Sequence, residues 1–278
     1  MKKDNIWYLN GKYLPVSEAN LPISDLGLQR GWGVFDFLRT YNGRPFQLAD
    51  HTARFQRSAR TSLIDINKTA PEIETIINKL LIRNNVKGSV GIKLFATAGK
   101  SADGLSSENK PTFGVMIVPL HEYPRKMYQR GIKLDLYRDL RVNPQVKSTN
   151  YAAVLTYLMR VKRRGFDDIL YAGKNGIVYE SARSNFFAFV NNTLVTPKNG
   201  VLLGITRKLV IDLARKRFSV KEGILTLKQL ETAEEAFITS TEREIMPVVQ
   251  VGTRKIDGGS VGPRTRLLMD EFHRLAEN

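Results

Sequence analysis

The chain of 278 residues is 42% hydrophobic, enough to bury one large core or two moderate ones, and no apolar run approaches the length of a membrane span or a secretory leader. It has no cysteine, which excludes disulfides and thiolate chemistry and points to a reducing, cytoplasmic setting. The net charge of +16 raises nucleic acid as a partner, but the cations gather at helix ends, as in "RVKRRG" (160–165), rather than in a basic tail or a nucleic-acid module, so that partner is disfavoured.

Three Asn-Gly pairs, in "WYLNGKYL", "TYNGRPF" and "YAGKNGIVYE", lie between strand-like runs and predict tight hairpins, because Asn and Gly tolerate positive φ. In chain order, apolar periodicity predicts helices over 48–64 and 70–84, the second with Pro71 in its first turn, then strands over 89–97, 112–118 and 131–137. A helix over 149–164, strands over 168–172 and 185–190, a helix over 206–217, a strand over 235–239 and a helix over 263–276 follow. Interleaved helices and strands give a mixed α/β class, and the hairpins argue for largely antiparallel sheets. "VPLHEYPRK" (118–126) ends a strand with two prolines and sets the boundary between a smaller amino-terminal α/β domain (1–120) and a larger carboxyl-terminal one (121–278). A ligand cleft is expected between two such domains.

Three stretches carry chemistry. In "QVKSTNYAAVL", Lys147 stands just ahead of the predicted helix, with Ser148 or Thr149 as its cap and Tyr151, Leu155, Leu158 and Met159 as its apolar stripe. A cation is disfavoured near a helix amino terminus. Either this lysine is solvated, or its amine is meant to lose its proton and form an imine with a carbonyl. In "GIVYESARSNFFAF", Glu180 ends a strand-like run; either its carboxylate is partly buried and met by a cation such as a protonated pyridine nitrogen, or it pairs with Arg183 or stays in solvent. In "LLGITRKLV", a glycine leads into Ile205 and Thr206 at a helix start, whose free N–H groups, hydroxyl and positive dipole end suit a phosphate or form an ordinary capped helix.

Taken in order with "YLNGKYLP", "ISDLGLQRGWGVFDFLRTYNGRPFQLADHTARFQRSA" and "AEEAFITSTEREIMPV", these stretches resemble the fold type IV pyridoxal-phosphate enzymes almost end to end. That group includes D-amino-acid aminotransferases, branched-chain aminotransferases and aminodeoxychorismate lyase. The resemblance implies a two-domain fold with the active site at the domain interface, pyridoxal 5′-phosphate as cofactor and no metal. It also implies amino-acid and keto-acid substrates, and a homodimer in which the loop "AGKSADGLSSENK" (98–110) reaches the neighbouring site. By this resemblance Lys147 is the catalytic Schiff-base lysine and Glu180 lies beneath the pyridine nitrogen. Arg54, in "HTARF", matches the phosphate-binding arginine, and Ile205, Thr206 and Thr241 the remaining phosphate donors. Leu202 matches the apolar residue packed on the ring, and Tyr151 the tyrosine that bonds the ring hydroxyl in branched-chain enzymes, or else a core residue.

The substrate end departs from both patterns. The Arg-x-His pair of D-amino-acid enzymes is absent, and the Tyr-x-Arg of branched-chain enzymes falls on Gly91 and Lys93. The usual "GDGVFE" reads Gly31-Trp32-Gly33-Val34-Phe35-Asp36. Arg30 and Arg183 are the candidates for gripping a substrate carboxylate in their place. On that footing a D-amino-acid aminotransferase is expected first and a branched-chain L-amino-acid enzyme second, followed by aminodeoxychorismate lyase. A non-catalytic anion- or nucleic-acid-binding protein is the reading from a different class. Leu28, Trp32, Phe35 and Phe37 either line a side-chain pocket or belong to the core.

Overall fold

Positive φ at Asn10 and Gly11 (45° and 91°) and at Asn42 and Gly43 (49° and 75°) closes the first two predicted hairpins with a backbone that these residue types adopt at least strain. The computed structural model describes residues 5–277. Contacts group them into two units, the first running to His121 and adding Val146–Tyr151, the second comprising Glu122–Gln145 and the chain from Ala152 onward.

The first unit contains strands β1 (Ile6–Leu9), β2 (Lys12–Pro15), β3 (Gly33–Tyr41), β4 (Arg44–Pro45), β5 (Gly91–Thr97) and β6 (Thr112–Val118). They form an antiparallel sheet in the order β2-β1-β6-β5-β3-β4. Helices α1 (Leu26–Arg30), α2 (Leu48–Thr61) and α3 (Ala70–Arg83) complete it. Along β3 the pleat sends Val34, Asp36, Leu38 and Thr40 inward to full burial, while Phe35, Phe37, Arg39 and Tyr41 stay half-buried on the other face. The inner face packs with Phe55 of α2 and with Ile73, Ile77 and Leu80 of α3. Each of these side chains contributes roughly 1.5–3 kcal/mol by burial. Helix α2 stops short of its predicted end because Leu63 takes φ of +56° and turns the chain back. Helix α3 opens on a capping box: Thr69 accepts from the Glu72 amide, and Glu72 accepts from the Thr69 amide and hydroxyl.

The second unit contains helices α4 (Arg125–Arg130), α5 (Ala152–Arg163), α6 (Ile205–Ala214) and α7 (Pro263–Glu277). Its strands are β7 (Ile132–Tyr137), β8 (Asp168–Ala172), β9 (Ile177–Ser181), β10 (Asn185–Val190), β11 (Thr193–Pro197), β12 (Ser219–Gly223), β13 (Leu225–Thr226), β14 (Ala233–Ser240), β15 (Glu244–Val251) and β16 (Arg254–Lys255). Strand pairing runs β10-β14-β15-β7-β8-β9, and β9 returns to β10 at Glu180 and Asn185, closing a ring of six strands. Ala188, Ala236, Ile238, Met246 and Leu134 lie in its apolar core. Phe187 and Phe237 stack with ring centroids 4.8 Å apart.

The structure corrects two expectations. The helix predicted over 149–164 begins at Ala152, and its buried face is Val154, Leu158 and Val161, with Leu155 48% and Met159 65% exposed. Lys147 falls with the first unit, not the carboxyl-terminal one, because its segment hydrogen-bonds to β3. Strand β15 contains Pro247, a residue that argues against a central strand; β7 pairs with β15 only from Val248 onward, which leaves room for it. Among the described residues no helix is long and apolar enough to cross a membrane.

The capping box generates a stability prediction. Thr69→Ala should lower the melting temperature by a few degrees, as loss of a helix cap does. Hydrogen bonds from the Thr69 amide and hydroxyl pull Glu72 down to about 2. Its contribution is therefore present above the ordinary Glu range and is lost as pH falls through about 2. Thermal scans from pH 7 to pH 2 should show the gap between wild type and variant closing at the acid end.

Candidate active site

Lys147 is placed by backbone pairing. The Phe35 amide donates to its carbonyl (2.9 Å), the Thr149 amide donates to Gly33 O (2.9 Å), and the Lys147 amide donates to Ser58 Oγ (3.2 Å). Thr149 does not cap a helix; its hydroxyl bonds the carbonyls of Gly31 and Gly33. A side chain at position 33 would crowd that hydroxyl, since an added Cβ would lie 2.9 Å from it. Thus pinned, Lys147 is half-buried, with its amine 4.7 Å from the centre of the Phe35 ring. Tyr151 meets the same ring edge-on at 5.8 Å. The amine of Lys93, on the outward face of β5, lies 5.4 Å from it. Lys93 has no acidic partner among the described residues, and burial lowers its pKa.

The inward neighbour of Phe35 serves a different purpose. Asp36 is fully buried and receives Arg54 in a two-pronged grip, Nε to Oδ2 and Nη2 to Oδ1, both at 2.8 Å. His51, almost one helical turn before Arg54 on α2, sets its Nδ1 2.7 Å from Asp36 Oδ1. Burial alone would raise the Asp36 pKa, but the charges and hydrogen bonds of Arg54 and His51 outweigh it and hold the carboxyl far below the usual range. Burial pushes His51 below its ordinary value. Arg54 Nη1 makes no hydrogen bond among the described residues, so the guanidinium is oriented with one nitrogen left for a ligand.

In the second unit Glu180 is buried, and both of its carboxylate oxygens accept hydrogen bonds. Its Oε1 accepts from Arg141 Nη1 (2.9 Å); its Oε2 accepts from the Leu202 amide (3.0 Å) and Asn185 Nδ2 (3.1 Å). The cation on Glu180 is therefore Arg141, not Arg183, which is exposed. Arg30 is exposed as well and bonds the Gln29 carbonyl. Neither arginine is placed to hold a carboxylate away from water. Helix α6 starts at Gly204, which has no side chain to cap it, and its first intrahelical bond is Lys208 N to Gly204 O (3.0 Å). The amides of Ile205 and Thr206 thus have no helical acceptor and suit an anion, with the Thr206 hydroxyl beside them. Thr241 follows β14 in the turn to β15. Thr239, opposite Asn185 in the sheet, is buried with a hydroxyl that finds no partner among the described residues.

Lys93, Asp36, His51, Arg141 and Asn185 were not singled out as site residues from sequence. The period-2 burial of β3 and the His-x-x-Arg spacing on α2 carry the signal for the Asp36 cluster. Arg141 sits in an irregular loop and has no such signal. Among the described residues no group of three or more His, Cys, Asp or Glu side chains is placed to hold a metal ion.

Removing the Asp36 charge should strand the Arg54 guanidinium. Asp36→Asn is expected to destabilise by about 3–5 kcal/mol at pH 7 in urea unfolding. Because the Asp36 pKa is depressed, its contribution is present above the ordinary carboxylate range and fades as pH falls below it, so the gap to wild type should narrow in acid.

Comparison with known proteins gives the family. Residues 33–251 match the family described as amino-transferase class IV. The chain is 34% identical over 275 residues to a putative branched-chain-amino-acid aminotransferase of Methanocaldococcus jannaschii, covering 95% of this chain and 94% of that one. It is 30% identical to the D-alanine aminotransferase of Staphylococcus haemolyticus, covering 98% of each. Its fold superposes with a TM-score of 0.87 on the branched-chain aminotransferase of the thermophilic archaeon Thermoproteus uzoniensis, crystallised with norvaline, at 26% identity over 98% of this chain and 94% of that one. A further branched-chain amino acid aminotransferase, crystallised with pyridoxamine 5′-phosphate, superposes with a TM-score of 0.90 at 25% identity over 99% of this chain and 95% of that one. By sequence along most of its length and by its mixed α/β fold, the chain belongs to the class IV aminotransferases.

Proposed function

We propose that this aminotransferase depends on pyridoxal 5′-phosphate and moves an amino group between an amino acid with an apolar side chain and a 2-keto acid. The observation that carries the reading is the half-buried Lys147, whose main chain is fixed by backbone pairing and whose amine lies over the Phe35 ring. Each unit carries donors that suit the cofactor: in the first an Arg54 nitrogen left unbonded, in the second free amides at the start of α6, the Thr206 hydroxyl and a buried carboxylate at Glu180. In this reading Arg54, Ile205, Thr206 and Thr241 hold the phosphate, Leu202 packs on the ring, and Tyr151 bonds its hydroxyl. Glu180 keeps a positive charge on the ring nitrogen. When bound, the cofactor supplies an aldehyde to capture the amino group and a ring to accept the electron pair released at the substrate α-carbon. Lys147 would anchor the cofactor through its amine, and that amine, when free, would take the proton from the substrate α-carbon as general base.

Lys93 replaces Arg30 and Arg183 as the contact for a substrate carboxylate. It shares the Phe35 ring with Lys147, is half-buried and has no acidic partner of its own among the described residues. Phe35 and Phe37 beside it offer an apolar surface, which favours a branched-chain amino acid. The D-amino-acid reading comes second, since both arginines on which it rested are exposed; the D-alanine aminotransferase relative supports it. A homodimer belongs to the same proposal. Its support is the exposed Ile23, Leu28 and Leu105, where the 98–110 loop approaches α1.

Half-reactions with L-leucine, L-valine and D-alanine, followed by absorbance as the bound aldehyde becomes the amine, test the donor. Lys147→Ala should abolish both the chromophore and the half-reaction; a fully active variant overturns the assignment. Lys93→Met should raise KM roughly 10- to 100-fold, the effect of losing one charged hydrogen bond, with little change in kcat. Since burial lowers the Lys93 pKa, the cation is lost as pH rises through that lowered value, so wild-type KM should climb in alkali where that of Lys93→Arg stays flat.

A further inference from the structure

We infer that Asn185 is a positioning residue that sets the ring-nitrogen carboxylate and the phosphate-binding helix start with one amide group. This rests on the cofactor reading above. Asn185 is buried at the first position of β10, where it pairs with Glu180 of β9 and closes the strand ring. Its Nδ2 donates to Glu180 Oε2 (3.1 Å) and to the Leu202 carbonyl (2.7 Å). The Leu202 amide donates to the same Oε2 (3.0 Å). Glu180, Asn185 and Leu202 therefore form a closed ring of hydrogen bonds in which the asparagine touches both other members.

The orientation of the amide follows from chemistry. Both groups facing Nδ2, a carboxylate and a carbonyl, are acceptors, so a flipped side chain would set oxygen against oxygen twice. Asn185 Oδ1 consequently points toward the start of α6. An added Cβ at Gly204 would lie 2.1 Å from it, so this turn is packed against the amide and excludes any side chain at the helix cap. Immediately beyond lie the amides of Ile205 and Thr206. The same side chain thus fixes the rotamer of Glu180, holds Leu202 at its carbonyl and backs the turn that presents the phosphate donors. Aspartate at 185 would set a second carboxylate against Glu180, and alanine would leave the Leu202 carbonyl without a donor.

Apoenzyme titrated with pyridoxal phosphate, and holoenzyme carrying cofactor labelled with ¹⁵N in the ring, distinguish positioning from general support. Asn185→Ala should weaken cofactor binding roughly 10- to 100-fold, as expected for losing two buried bonds, one to a charge. Its ring ¹⁵N signal should move toward that of unprotonated pyridine. Asn185→Ser, which keeps one short donor should the alanine variant fail to fold, should move the signal in the same direction by less. Asn84→Ala serves as control, because Asn84 ties Ile6 to α3 in the first unit. It should lower the melting temperature and leave the ring signal in place. An unshifted signal and wild-type affinity in the Asn185 variants overturn the inference, as does an equal shift in Asn84→Ala. Wild-type protein that takes up no cofactor at all would overturn the cofactor reading itself, and this inference with it.

Discussion

A few backbone hydrogen bonds decide where the Lys147 amine can be. The 147–149 segment has no helix of its own and is held as a short extra strand beside the start of β3, through the Phe35 and Thr149 amides and the Ser58 hydroxyl. A lysine side chain has four rotatable carbons and is ordinarily free to reach water. Here the main chain is fixed at both ends of the residue, and Phe35 provides a face that attracts an ammonium group. The lysine is thus positioned by sheet geometry, not by a helix terminus. The pleat of β3 does the rest, since the same alternation that turns Phe35 toward Lys147 turns Asp36 inward to Arg54.

Both units then place a charged pair where water is scarce. An isolated buried carboxylate is prohibitively unfavourable, and a buried pair roughly breaks even only with good geometry and further hydrogen bonds. Asp36 meets that condition with two bonds from Arg54 and one from His51, and Glu180 with bonds from Arg141, Asn185 and Leu202. Stability is weak ground for either cluster, because apolar side chains of similar size often serve a fold as well as a buried ion pair does. What the pairs provide is fixed direction: a guanidinium with one nitrogen left over, and a carboxylate whose oxygens are each committed to a set donor.

Much of this frame was legible in the sequence because it is local. Asn-Gly pairs turn hairpins, Pro71 marks the first turn of a helix, and the glycine before Ile205 marks another start, all within a few residues. What was illegible depends on distant partners. The apolar positions 151, 155, 158 and 159 read as a helix stripe, yet of these only Leu158 lies on the buried face, which it shares with Val154 and Val161, because the helix starts later and is turned. The Asn191–Asn192 hairpin, with φ of 48° and 61°, lacks the glycine that would have flagged it. Arg141 reaches Glu180 across 39 positions from a loop with no periodicity, so no spacing rule finds it.

The same contrast bears on charge. A net charge of +16 suggested a polyanion, yet several cations are committed in pairs or helix ends: Arg243 to Asp168, Arg207 and Arg215 to Glu222, Arg264 to Glu234 and Glu235. Lys93 differs in kind. An arginine there would spread its charge over a plane and stack on Phe35 with little loss of hydration; an ammonium is a compact charge that suffers more from burial. A half-buried lysine without an acidic neighbour among the described residues therefore sits in an unfavourable state, relieved when an anion arrives. Of the two lysines at the Phe35 ring, the proposed chemistry asks Lys147 to lose and regain a proton and asks Lys93 to keep its own.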